Sequence, residues 1–473
     1  MGLCVTGIDQ KLTNSKITIY VQETHPFIKL ANTLDWHKLI DLVLPDLKNS
    51  TAKLKWWFGR KLCIRTHLGV YLLQQLLNAT DRGIEQQIKF NAAYQMFCGK
   101  TIVKNWHCPD HTKIEEFRSR LSPETQCFLA NEIARLATKK RFAKPEHIDI
   151  DSTIQEPDIQ HPSISNMLIK ITGMARRVQK LLMEKCDLSQ LTGSMKHIDM
   201  KNIKGLARTY FFIKRKKSTI NKEKKDLALK TLWCAVSEAG NEALKYAHRL
   251  LEPFIFETLN TREQELVTQF TSKVPTYLSE TFEHNFESAV QKCKILSMHR
   301  NEVDIFNKQK ENKAFEFGRQ FQIGRIEGNF VFSVPNYSVR MPDAEALKPM
   351  IRTHLNTFQK PIESAGADKG YYSKDNEQFL LDLKVTEVAL QKINRKYNDP
   401  PDNPLPPERL LELINRRSGI EGIIGHLKRR FQMGRSRMKS DRTTESSGYC
   451  AMLGFNLHQL MRNLTGEALK KVA

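Results

Sequence analysis

No stretch of this 473-residue chain approaches the ~20 consecutive apolar residues that cross a bilayer, so no membrane span is expected. The N-terminal MGLCVTGIDQKLT does not pair a basic head with an apolar run, so no secretory signal is legible. Paired cysteines are missing too. The nine cysteines are scattered, odd in number and never spaced Cys-x-x-Cys, which argues for reduced thiols in a cytoplasmic setting rather than a disulfide framework. The nearest thing to a zinc set is Cys98, His107, Cys108 and His111. Structural zinc prefers spaced pairs on turns, and His107 and Cys108 are immediate neighbours, so packed or surface side chains are the better reading. Acidic residues are the scarce charge: Lys+Arg 74 against Asp+Glu 52 gives a net +22 and a pI near 9.5. Such an excess suits a polyanion, through phosphate contacts and release of condensed counterions. A merely soluble basic protein has the same composition, and charge alone does not separate the two.

What is present fits an ordinary globular chain: 40% hydrophobic residues, mean hydropathy −0.47 and a length that allows two or three cores. Residues 25–140 read as mostly helical, with apolar residues at helical spacing in 34–47 and 64–80. These Lys- and Arg-bearing helices fit a helix-turn-helix-like DNA-binding unit or an oligomerisation module equally well. KPEHIDIDSTIQ (144–155) then alternates polar and apolar residues, the two-residue period of a strand. It puts His147, Asp149 and Asp151 on one face. Residues 165–312 return to long helices. They enclose a basic stretch with aromatics, Lys201, Lys204, Arg208, Tyr210, Phe211, Phe212 and Lys214–Lys217, which suits nucleic acid or a solvated amphipathic helix. A hairpin is expected over 315–338, turning at Glu327–Gly328. Helix 346–358, strand 362–368, a helix near 373–383, strand 384–390, helix 408–428 and helix 446–464 follow. Between 398 and 407, five prolines in ten residues break regular structure.

Arg417, Glu421 and Lys428 lie at offsets of four and eleven on helix 408–428, within an arc of about 40°. A carboxylate framed by two cations is laid out to hold a metal ion and grip phosphate. Asp151 and Asp368 close two expected strands. Converging on one site, these three carboxylates would supply hard oxygen ligands for Mg²⁺, the ion that activates the attacking oxygen and steadies the leaving one in phosphodiester cleavage. Each has a blander alternative. Asp151 would serve as a turn residue bonding its own backbone, with Asp149 as rival on the same face; Asp368 would start a turn; Glu421 would pair with Arg417 on a solvated helix.

Three ordered blocks carry a resemblance. DSTIQEPDIQHPS (151–163), GADKGYYSKDN (366–376) and RSGIEGIIGHLKRRFQMGRSRMK (417–439) resemble the aspartate, aspartate and glutamate blocks of bacterial insertion-sequence DDE transposases. GFNLHQLMRNL (454–464) is similar to that family's closing helix, and residues 35–125 resemble its helical DNA-recognition domain. The resemblance implies an α/β chain: an N-terminal helical DNA-binding domain (1–143) and a ribonuclease H-like mixed-sheet catalytic core (144–164 and 313–465), the latter interrupted after its first strand by a helical insertion (165–312). It implies Asp151, Asp368 and Glu421 as the catalytic, metal-binding triad for two Mg²⁺ or Mn²⁺ ions. Arg417, Lys428, Arg429, Arg430, Arg435 and Arg437 become DNA contacts. The partner implied is double-stranded DNA, both element ends and target, gripped by a dimer in the cytoplasm on the bacterial nucleoid. The family's glutamate block often carries Tyr three residues before the Arg, where this chain has Ile414. A domesticated copy that binds ends and represses without cutting is the alternative the sequence leaves open.

Overall fold

The computed structural model describes residues 2–5, 17–49, 63–100, 108–159, 162–186, 196–215, 222–288, 295–310, 313–335, 338–390, 405–438 and 441–466. His107, Lys216, Lys217 and most of the proline-rich 398–407 stretch lie outside the described residues. Two compact units emerge: Met1–Asp158 with Asp304–Ala473, and Ile159–Val303 between them.

The first unit opens with a small antiparallel ladder, β1 (Gly2–Val5) on β2 (Ile17–Tyr20). Helices α1 (Pro26–Thr33), α2 (Trp36–Asn49), α3 (Ile64–Leu77), α4 (Asp81–Phe90), α5 (Ala92–Phe97), α6 (His111–Arg120) and α7 (Pro123–Lys139) follow. Their starts are written locally. Ser122 caps α7 by accepting from the Thr125 N–H, Pro123 supplies a preset φ in the first turn, and Glu124 adds a favourable charge there. Strand β3 (Lys144–Gln155) comes next.

After the second unit the sheet resumes with β4 (Asp304–Lys310), β5 (Lys313–Glu327) and β6 (Phe330–Phe332). Then come α13 (Asp343–Phe358), β7 (Ser364–Ala367), α14 (Lys374–Asp382), β8 (Glu387–Ala389), α15 (Pro407–Arg430) and α16 (Asp441–Thr465). Strand order is β4-β5-β3-β7-β8, with β6 also on β5. β5 runs antiparallel to β3, whereas β7 is parallel to β3 and β8 to β7. The β5–β6 turn holds Gly328 at φ +98° and Asn329 at φ +63°. A Cβ at 328 would stand 2.4 Å from the Phe142 carbonyl oxygen, so only glycine fits.

The sheet begins earlier than the sequence pattern indicates. Asp304–Lys310 pairs with β5 as an edge strand, although 165–312 reads as insertion. The insertion leaves and re-enters at one place, because Gln155 pairs with Arg319 while Asp304 pairs with the adjacent Gly318. With strands spaced about 4.8 Å apart, the two ends lie about 10 Å from each other.

Residues 1–143 are not set apart from the sheet. Helices and strands share one apolar core, from Leu30, Leu72 and Ile133 through Phe321, Phe330 and Phe332 to Tyr449 and Leu457. Two asparagines fix that junction. Asn456 of α16 donates to the carbonyls of Val331 (2.7 Å) and Ala130 (2.9 Å) and accepts from the Val331 N–H. Asn131 of α7 donates to the Ser333 carbonyl (2.8 Å) and accepts from its N–H (2.9 Å). The outer edge of β6 is thereby hydrogen-bonded to helices rather than left as a pairing template.

The second unit contains α8 (Ile164–Lys185), α9 (Met200–Arg215), α10 (Lys222–Ala247), the one-turn α11 (Pro253–Phe256) and α12 (Thr261–Phe286). It has its own core of residues such as Ile171, Val178, Leu182, Leu232, Val236, Phe270 and Val274. Asn260 and Glu263 form a reciprocal capping box at the start of α12.

Candidate active site

Two of the three expected carboxylates come out side by side. The β3–β7 register pairs Ile148 with Ala365 and Ile150 with Ala367. Asp151 and Asp368 are the next residues on adjacent parallel strands, at the carboxyl end of that pairing, where open α/β sheets bind ligands. Asp151 does not close its strand, because β5 keeps pairing with β3 as far as Gln155. One Asp151 oxygen accepts from the Ser152 N–H at 2.7 Å. Asp368 is exposed and starts a 3-10 turn, accepting from the Lys369 N–H at 2.8 Å.

The crossing helix separates Asp149 from Asp151. Asp149 is 3% exposed and gripped by two arginines. Arg416 stands 3.0 Å away and also donates to the Ile148 carbonyl and the Ser364 hydroxyl. Arg325 stands 3.6 Å away and donates to the Arg416 carbonyl. Burial pushes the Asp149 carboxyl up, against the pull of Arg416 and Arg325. Asp149 is thus the clamp that docks α15 on the sheet. Consecutive helical residues point about 100° apart, so Arg417 faces elsewhere: its guanidinium lies 3.7 Å from Asp151. Gly366 permits the approach, since a Cβ there would sit 2.9 Å from an Asp149 oxygen and 3.6 Å from Arg417 Cβ.

Tyr371 braces the turn that follows β7. Buried, it donates through its hydroxyl to Gln322 Oε1 and also bonds Ser152. Gln322 donates on to Asp343 at 3.2 Å, which Gln320 also reaches at 2.8 Å. Burial pushes the Tyr371 phenol far up, and the charges of Asp343, Asp151 and Asp368 push the same way. The phenol therefore stays a neutral donor that ties the Asp368 turn to β5 through Gln322.

Glu421 sits one turn past Arg417, exposed on α15. Among the described residues, no three His, Cys, Asp or Glu side chains stand close enough to hold a metal ion. Asp151, Asp368 and Glu421 are therefore not gathered into one group here.

The basic residues continue along the chain. Lys428 is half-buried; Arg429, Arg430, Arg435 and Arg437 are exposed. Their loop is tied to the end of β3, with the Glu156 N–H donating to the Gly434 carbonyl (3.0 Å) and the Ser436 N–H to the Glu156 carbonyl (2.7 Å). Arg435 also meets Asp158 at 3.3 Å. That tether lies five residues past Asp151, about 16 Å along the strand. Ile414, in the place of the family's Tyr, is half-buried. Of the zinc candidates, Cys98 and Cys108 are buried thiols whose pKa burial pushes up, to about 12 for Cys108, and His111 bonds Glu85 at 3.1 Å.

Sequence reasoning missed Arg325 and Arg416 as clamp residues and Tyr371 as a brace. The one signal available was the doublet Arg416–Arg417, which a helix must aim in two directions.

Two family descriptions match this chain in order. "Transposase domain (DUF772)" covers residues 16–120 and "Transposase DDE domain" covers residues 335–452. The two matches together support an insertion-sequence DDE transposase. Among curated proteins it is similar to "Uncharacterized protein ORF8 in nfe locus" of Rhizobium meliloti, at 24% identity over 119 residues. That match takes in 24% of this chain and 58% of the relative's length. No solved structure matches.

Proposed function

We propose that this transposase cuts DNA at the terminal inverted repeats of its element and joins the freed 3′-hydroxyls to target DNA. The observation carrying this reading is the adjacency of Asp151 and Asp368, each one residue past the last paired positions of β3 and β7, with Arg417 beside Asp151 and the matched DDE region around Asp368. The strand order supports a ribonuclease H-like core: an antiparallel run β6-β5-β3 continued by parallel β7 and β8. The N-terminal helices are the proposed reader of element ends.

The donor set fits a divalent cation, since Mg²⁺ and Mn²⁺ favour hard carboxylate oxygens and keep several waters. Asp151 and Asp368 would hold such ions, with Glu421 completing the set when DNA draws its exposed side chain inward. Bound there, the ions would lower the pKa of the attacking oxygen and offset charge on the leaving one. The chain's own side chains do the rest. Arg417 sets a fixed positive charge beside Asp151, and the Asp149 clamp fixes where Arg417 points. Tyr371 keeps the Asp368 turn in place. Lys428, Arg429, Arg430, Arg435 and Arg437 meet phosphates and position the duplex without reading sequence.

In the first step a water oxygen attacks phosphorus and the 3′-oxygen leaves as a hydroxyl. In the second that hydroxyl attacks a target phosphodiester, so one bond forms as one breaks. Two ends cut in concert call for two copies on DNA, in the cytoplasm on the nucleoid.

The test is Mg²⁺-dependent nicking of duplexes ending in the element's inverted repeats. Asp151→Asn, Asp368→Asn and Glu421→Gln should each lower the rate by on the order of a thousandfold, as several kcal/mol of charge stabilisation is lost. Unchanged cleavage by Asp151→Asn would refute the site.

A further inference from the structure

The second unit carries a surface that its own packing does not call for. Helix α9 reads MKNIKGLARTYFFIKR, without a single Asp or Glu. Its inner side, Ile203, Ala207 and Tyr210, is buried against α8 and α10. Its outer side presents Lys201, Lys204, Arg208, Phe211, Phe212 and Arg215, all exposed. At 100° per residue these six fall within an arc of about 100°. Phe211 is 50% and Phe212 64% exposed. Their ring centres are 6.2 Å apart, and the Arg215 guanidinium lies 5.5 Å from the Phe211 ring. The nearby carboxylates are engaged elsewhere. Asp199 caps the helix start by accepting from the Lys201 and Asn202 N–H groups. Asp226 lies beside Tyr210, on the buried side.

We propose that this face of α9 binds DNA, with Lys201, Lys204, Arg208 and Arg215 on phosphates and Phe211 and Phe212 stacked on unpaired or kinked bases. Cations interleaved with exposed rings are the surface that holds a backbone while gripping bases regardless of sequence. A second copy of the same face is disfavoured, since four cations and no acid would repel their like. The proposal rests on the reading of the chain as a DNA-handling transposase and extends it to the helical unit.

The experiment uses the full-length protein, a random-sequence duplex, and the same duplex with a short unpaired bubble, at 50–200 mM salt. Replacing Lys204, Arg208 and Arg215 together by Ala should lower the slope of log affinity against log salt by about 2 to 3, nearly one per lost phosphate contact. Arg208→Ala alone should lower it by about 0.9, and it answers the same question if the triple variant proves unstable. Phe211→Ser with Phe212→Ser should cost about tenfold on the bubble and leave the slope intact. An unchanged slope in the cation variants, while the wild-type protein binds DNA and nicks element ends, overturns this proposal and spares the catalytic reading. Wild-type protein that never nicks DNA in Mg²⁺ sinks the catalytic reading, and the slopes still judge α9. If the Phe variant instead loses binding to phosphatidylserine vesicles with both DNA affinities unchanged, the face is a lipid surface and the proposal falls.

Discussion

Among the described residues, the glycines where a Cβ would meet an atom closer than 3.0 Å all lie in the sheet unit, none in the helical unit. In the sheet unit a Cβ at Gly324 would stand 2.2 Å from the Phe332 ring, and one at Gly448 2.3 Å from Phe321. One at Gly318 would meet the Gln155 carbonyl oxygen at 2.1 Å. In the helical unit nothing lies within 4 Å of such a Cβ at Gly173 or Gly205, and at Gly240 the nearest atom is Leu278 Cδ1 at 3.3 Å. The first unit is assembled from segments remote in sequence that must approach closely, and its side-chain bonds have the same reach, from Asn131 to Ser333 and from Arg416 to Asp149. The second is built of consecutive helices whose surface stays open. A site needing fixed carboxylates belongs in the first kind of structure, and a broad charged face suits the second.

That contrast can be tested by substitution. The largest stability loss is expected from Asp149→Asn, which leaves Arg325 and Arg416 without their buried counter-charge. Denaturant unfolding should show a loss of about 3 kcal/mol, and a loss near zero would mean that the clamp is ornamental.

Next comes acid. Burial holds the His354 imidazole down to about 4, while its N–H donates to the Pro145 carbonyl at 2.7 Å. The unfolded chain takes up that proton near 6.5 and the folded one only near 4. Its contribution is therefore whole above pH 6.5 and drains away as pH falls toward 4, by at most about 3 kcal/mol. His354→Gln should flatten this slope. Amide exchange should show β3 opening with acid in the parent and much less in the variant; equal acid sensitivity would mean that His354 does not set the acid response.

The smallest effects are the most diagnostic. Gly448→Ala should cost about 2 kcal/mol by forcing a methyl onto Phe321, whereas Gly205→Ala should raise stability by up to about 1 kcal/mol through helix propensity alone. If both lower the melting temperature alike, the two units are not packed differently.

Much of this architecture was readable from spacing. Alternation in KPEHIDIDSTIQ marks β3, the helical periods mark α13 and α15, and the hairpin turn expected at Glu327–Gly328 falls one residue on, at Gly328–Asn329. The adjacency of Asp151 and Asp368 follows once two strands are taken as parallel neighbours. Other features left no trace in the pattern. Asp149 and Asp151 share a strand face, and what buries one of them is a helix arriving more than 250 residues later along the chain. Strand β4, DIFNKQK, is too polar to stand out, because an edge strand buries only part of its surface. Asn131 and Asn456 look like ordinary polar interruptions of apolar helices until the β6 backbone is set against them. Glu421 is the reverse case: its helix was legible, yet its exposed side chain forms no metal-holding group with Asp151 and Asp368 among the described residues.

The nearness of Gln155 and Asp304 beside β5 bears on how the chain reaches this shape. During synthesis β3 emerges some 150 residues ahead of the strand that completes it, a wait in which an unpaired strand is exposed to wrong partners. A helical excursion that condenses on its own replaces a long floppy tether with a short one, lowering the entropy lost when β5 arrives. The intervening helices would then act as a built-in folding aid for the strand that bears Asp151.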